Sequence, residues 1–163
     1  MKITMILSAI FAFSFPFFFS MFEMWRSKEK KLKYSYICLF IYIFVILFFT
    51  LLKREPSLSR NRINLNLFWS YAFFDKADYR WQIYMNVFLF IPFGALLAHI
   101  THKSFIKCVF AGMVFSCMIE IVQLIFGLGL CELDDVFHNT LGNVIGFGHW
   151  IIVERITSMI MHE

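Results

Sequence analysis

Apolar runs of bilayer-spanning length dominate this sequence, at about residues 3–22, 34–52, 83–101, 105–127 and 136–153. A helix needs roughly 20 predominantly apolar residues to cross a hydrocarbon core. With 60% of residues hydrophobic and 20% aromatic, the composition excludes an ordinary soluble domain. The expected fold is therefore all-α: an integral membrane protein, a bundle of about five transmembrane helices with one longer extramembrane loop from Lys53 to Arg80. Residues 1–33 read as an N-terminal helix with a basic loop, and residues 34–163 as a four-helix membrane domain. The 23 Phe suit lipid-facing bulk rather than an aromatic binding box.

The first run begins at Met1-Lys2 in the manner of a secretory signal, which needs a short apolar core and a small-residue cleavage site. Here the core is nearly of spanning length, and Phe22-Glu23-Met24-Trp25-Arg26 offers no such site. A retained helix is the expectation, with Pro16 as a kink that membrane helices tolerate. The densest basic run, Arg26 to Lys33, belongs in the cytoplasm by the positive-inside rule, which makes the amino terminus external. Eight Lys or Arg then fall inside and seven outside. The net charge of +4 suits contact with anionic lipid heads, and nothing points to nucleic acid. Cys38, Cys108 and Cys117 lie in apolar runs and Cys131 in a loop, with no CxxC pair to suggest a disulfide framework or a zinc ribbon.

Polar residues inside the apolar runs carry the functional signal, because ionisable groups at membrane depth face the protein interior or a wet cavity. Asn86 stands near the start of the third run, Glu120 and Gln123 in the last third of the fourth, and Asp134, Asp135, His138 and Asn139 at the opening of the fifth. Consecutive spans alternate in direction, so all of these approach one membrane face, as does the loop 53–80. At a rise of 1.5 Å per residue, Glu120 lies roughly 10 Å below Gly127 and Asn139 roughly 6 Å below Asp135, so one shared pocket is reasonable. Gly112, Ser116, Glu120, Gln123 and Gly127 recur at helical spacing, as do Asn139, Gly142, Asn143 and Gly146. Small residues so spaced let backbones approach closely, and the two stripes are expected to face each other, with Asn139 and Asn143 bonding to Glu120 and Gln123.

Competing uses of these residues are structural. Glu120 suits a neutral buried acid, Asp134 or Asp135 a helix cap, and Pro92 with Gly94 a break or kink in the third span. Asp135, His138 and Asn139, with Asp134 or Cys131, offer a mixed oxygen and nitrogen shell, but the spacing matches no zinc motif, so no metal and no cofactor is expected. His99 and His149 lie toward the other face. In the loop, Arg62-Ile-Asn-Leu-Asn-Leu-Phe-Trp-Ser-Tyr71 alternates apolar and polar residues, as an extended segment or lid does. Trp69, Tyr71, Phe73 and Phe74 suit the membrane interface, and Arg60 and Arg62 can meet a phosphate or carboxylate, or pair with Asp134 and Asp135.

Asn86 with Phe90-Ile-Pro92-Phe-Gly94, Glu120 with Gln123, and Asp134-Asp135 with Asn139, Thr140 and Gly142 form three ordered blocks, and over residues 60–150 the chain resembles the VanZ-like family of bacterial membrane proteins. The family's N-L-x-P-F element reads Asn64-Leu-Asn-Leu67-Phe here, without the proline, and Gly127 to Glu132 lacks the Arg that many members carry. The resemblance implies a multi-pass protein of the bacterial inner membrane and, for some members, reduced susceptibility to teicoplanin-type lipoglycopeptides. The phosphotransbutyrylase label carried by some relatives finds no support in these residues.

Three functions follow as expectations. The first is an envelope protein that binds an amphiphile, a membrane lipid, a lipoglycopeptide or a lipid-linked cell-wall intermediate, through Asn86, Glu120, Gln123, Asp134, Asp135 and Asn139, with Gly112, Ser116, Gly142 and Gly146 packing the helices. The second is an intramembrane enzyme on a lipid-linked head group, with Glu120 and Asp135 as candidate catalytic groups. The third is a small proton-coupled transporter, for which a homo-oligomer would complete the path.

Overall fold

The computed structural model describes residues 14, 15, 18, 28–52 and 63–161. Most of the first apolar run, together with Arg60 and Arg62, lies outside these residues.

Helix α1, Lys28–Leu47, passes into a π-helical turn, Phe48–Leu52. A two-residue strand β1, Ile63–Asn64, and a 3-10 turn, Trp69–Phe73, lead to α2, Ala77–Ile100. Helix α3, Phe105–Phe126, strand β2, Cys131–Glu132, and helix α4, Leu133–Met161, complete the order. Three stretches among the described residues are long and apolar enough to cross a membrane, Lys33–Leu52, Ala77–Ile100 and Phe105–Phe126. They coincide with the expected second, third and fourth runs. Helix α4, at 29 residues, is long enough but too polar to join them, because it carries Asp134, Asp135, His138, Asn139 and Asn143.

Helix α2 is the centre of the bundle. Residues 90–98 are buried without interruption, the signature of a helix enclosed on every side. Its main partner is α4, and the two run parallel: Gly142 meets Val87, Gly146 meets Ile91, and the His99 ring packs on Trp150 at 5.2 Å. A Cβ on Gly142 would stand 2.2 Å from the Val87 carbonyl oxygen, and one on Gly146 2.0 Å from that of Ile91. Only glycine permits that approach. These two glycines thus turn to α2 and not, as the stripe pattern suggested, to α3. Contact between α3 and α4 falls to Gly112, whose Cβ would lie 2.4 Å from Asn143 Nδ2, and to Ser116, whose hydroxyl oxygen accepts from Asn139 Nδ2 at 2.8 Å.

Helix α1 packs antiparallel on α2, with the Tyr42 hydroxyl donating to the Leu89 carbonyl at 2.9 Å and Ser35 Oγ within 2.7 Å of His99 Nδ1. Helix α2 differs from expectation in two respects. It begins at Ala77 rather than 83, and it runs unbroken through Pro92. Close packing on both sides holds the helix where the missing proline N–H would otherwise weaken it. At the end opposite the acidic residues, Lys103 Nζ pairs with Glu154 at 2.7 Å.

Candidate functional site

Backbone geometry at the end of α3 assembles the site. Gly127 closes the helix in the left-handed region, φ 63°, with its N–H bonded to the Leu124 carbonyl at 3.3 Å. The chain then reverses into β2, which pairs in parallel with β1: Ile63 opposite Cys131, and Asn64 opposite Glu132. That reversal delivers the Glu132 N–H to Glu120 Oε2, 2.9 Å away.

From there a connected acidic group builds up. Gln82, on α2, donates from Nε2 to Glu132 Oε2 at 3.3 Å and to both oxygens of Asp135 at 3.1 Å. Glu120, Glu132 and Asp135 are all buried, at 3%, 5% and 4% exposure. They come from α3, β2 and α4, and the Glu132 N–H and the Gln82 amide link the three through hydrogen bonds.

Asp134 has a different task. Its oxygens accept from the Phe68 N–H at 2.6 Å, the Ser70 N–H at 3.0 Å and the Ser70 hydroxyl at 2.5 Å. All three donors belong to the segment before α2. The carboxylate fastens that segment to α4, and its partners lie outside its own helix, unlike those of a helix cap. One turn further along α4, His138 Nε2 lies 3.0 Å from the Tyr71 hydroxyl, a second tie between the same elements. Burial and the charge of Asp134 raise the Tyr71 pKa. The expected lid is therefore docked on α4 through residues 68–71.

The remaining sequence-predicted residues take other partners than expected. Gln123 donates to the Thr50 carbonyl at 3.0 Å, in the π-helical turn that follows α1. Asn143 donates to the Cys108 carbonyl at 3.0 Å. Neither Asn139 nor Asn143 bonds to Glu120 or Gln123, because the antiparallel register of α3 and α4 sets Ser116 level with Asn139 and Glu120 level with the start of α4. Asn86 Nδ2, Gln123 Oε1, His138 Nδ1 and Asn139 Oδ1 are buried with no hydrogen-bond partner among the described residues. Buried polar atoms of this kind are uncommon and point to water, an ion or a ligand. Among the described residues no three His, Cys, Asp or Glu side chains converge as a metal site.

Glu132, Gln82, Ser70 and Asp78 escaped the sequence reading. Gln82 was legible: Asp78, Gln82 and Asn86 recur every four residues, one polar stripe on α2 that also extends the helix back toward Ala77. Beside the acids opens a cleft of about 400 Å³, lined by Trp69, Asp78, Tyr79, Gln82, Leu130 and Glu132. Cys131 adjoins it, and its thiol pKa is raised by burial and then by the charge of Glu120.

A helical membrane protein with a buried acidic cluster at one end of its bundle is the class these features define. The chain belongs to the VanZ/LLP1 family, whose family model matches residues 5–154. Protein VanZ of Enterococcus faecium is 39% identical over 62 residues, 37% of this chain and 38% of that relative. The chain thus matches well under half the length of that curated protein. No solved structure matches.

Proposed function

We propose that this chain is a VanZ-like protein of the bacterial cytoplasmic membrane that binds an amphiphile at its acidic end and so contributes to protection against teicoplanin-type lipoglycopeptides. The chain then crosses the membrane five times, through the first apolar run, the three helices of spanning length, and α4, whose polar residues face protein. Residues 53–76 are the extramembrane segment, external by the positive-inside count. The observation that carries the proposal is the cleft lined by Glu132 and Gln82, which hydrogen bonds connect to the buried carboxylates of Asp135 and Glu120. An apolar tail would lie along the exposed aliphatic and aromatic faces of α1 and α3, where Phe44, Phe110, Met118 and Ile125 are exposed. The polar end would enter the cleft lined by Trp69, Tyr79, Gln82 and Glu132. Asp134 then acts through the segment it fastens, holding Trp69 at the cleft, and Gln123 acts by joining α3 to α1.

Expression of this chain in a teicoplanin-susceptible bacterium tests the reading. Wild type is expected to raise the inhibitory concentration, and Asp135→Asn to lose that protection at an equal level of protein in the membrane. Equal protection by the variant would remove the acidic cluster from the function.

A further inference from the structure

Buried polar side chains between α2, α3 and α4 stack in three layers. In the outermost, Gln82 Nε2 reaches both oxygens of Asp135 at 3.1 Å. In the innermost, Asn143 is closed on α3: its Nδ2 donates to the Cys108 carbonyl at 3.0 Å, and its Oδ1 accepts from the Cys108 thiol at 3.8 Å. The middle layer holds Asn86 from α2, Ser116 from α3 and Asn139 from α4. We propose that this middle layer binds one water molecule, which accepts from Asn86 Nδ2 and donates to Asn139 Oδ1.

Two contacts between the parallel helices α2 and α4 bracket the pair. Gln82 meets Asp135 on the outer side, and on the inner side a Cβ on Gly142 would stand 3.0 Å from Phe90 Cβ. Gln82, Asn86 and Phe90 follow at steps of four residues, and Asp135, Asn139 and Gly142 at steps of four and three, so each set occupies one face of its helix. Asn86 and Asn139 therefore lie at equal depth, each about 6 Å inward of the outer contact. Asn139 Nδ2 is taken by Ser116 Oγ at 2.8 Å, which brings α3 into the same layer.

The two amides are 8% and 2% exposed, yet Asn86 Nδ2 and Asn139 Oδ1 have no hydrogen-bond partner. Leaving both unpaired in low dielectric is costly. One of these atoms donates and the other accepts. A metal cation would meet the Asn86 N–H with like polarity, and an inorganic anion would be repelled by Asn139 Oδ1. A small neutral molecule that accepts and donates at once satisfies both, and water is the smallest that does so. Water then stands one helical turn beneath Asp135, inside the bundle, whether or not an amphiphile occupies the cleft.

The test is transfer of magnetisation from water to asparagine side chains, read by solid-state NMR on the full chain labelled at the asparagine nitrogens and held in vesicles of deuterated phosphatidylglycerol. Asn66, exposed, and Asn143, buried and bonded to Cys108, are the internal references. The Asn86 and Asn139 amides are expected to gain signal within about twofold of the Asn66 rate, and Asn143 at least about fivefold more slowly. In Asn86→Leu, the Asn139 rate is expected to fall to that of Asn143. Rates at Asn86 and Asn139 as slow as at Asn143 in wild type would overturn the water site, since the two amides would then be dry or closed on each other. Asn143 as fast as Asn66 would overturn it too, by showing a seam open to bulk water rather than one bounded site. The wild-type comparison decides even where the variant does not fold.

Discussion

Single residues in this protein are constrained by backbone as much as by chemistry. Gly146 admits the Ile91 carbonyl oxygen to 2.0 Å from where a Cβ would stand, whereas Gly148, two residues on, has nothing within 4 Å. Gly146→Leu should lower stability by ~3 kcal/mol or more, through overpacking of backbone that cannot yield, and Gly148→Ala should leave it nearly unchanged. Thermal unfolding of the two variants in detergent checks the contrast. Sequence spacing makes both glycines visible but cannot say which helix each one meets, since that depends on how α4 is rotated about its axis. Cys131 offers a chemical reading of its surroundings. Burial and Glu120 raise its thiol pKa, so less thiolate exists at pH 8 than for a free cysteine. Alkylation at that pH should be slow at Cys131, rise only at higher pH, and speed up in Glu120→Gln. Peptide-level mass spectrometry resolves this site from the other cysteines, and an unchanged rate in the variant would separate Cys131 from Glu120.

Elements, rather than residues, decide where the acids go. Glu120, Asp134 and Asp135 stand out in sequence because charge in an apolar run is expensive, yet their division of labour follows from the segment before α2. That segment alternates apolar and polar residues, so an extended course was legible, but its partner strand is two residues long and lies 68 positions away. No local pattern encodes such a pairing. Parallel strands stand about 5 Å apart, within reach of a disulfide, so Ile63→Cys should cross-link to Cys131 under mild oxidation. Failure to cross-link while both thiols remain reactive would contradict the register. Asp134→Ala leaves the N–H groups of Phe68 and Ser70 without their carboxylate. A loss of ~2–3 kcal/mol is expected, concentrated in residues 68–74 and visible as faster amide exchange there, with the core of α2 unaffected.

The bundle as a whole was the most legible part of the sequence, and its physics explains why. Membrane spans are written in composition over about 20 residues, a signal that survives errors in any one position. It failed at edges where polar residues continue a helix beyond the hydrocarbon, as at Ala77 to Gln82, and on α4, whose buried Asp, His and Asn make a long helix look short. The acidic end of the molecule was legible as a place and not as a mechanism: helix alternation brought Glu120 and Asp135 together, while Glu132 and Gln82, which join them, lie at the margins of the apolar runs. Function at this scale depends on whether that end holds a ligand. The most direct measurement is native mass spectrometry of gently purified wild type and Glu132→Gln, with the melting temperature of each determined in parallel. Wild type is expected to carry a bound amphiphile, and the variant to lose it while melting within a few degrees of wild type. An amphiphile retained equally by both, or found on neither, would contradict ligand binding at the acidic end and return the three carboxylates to a structural role.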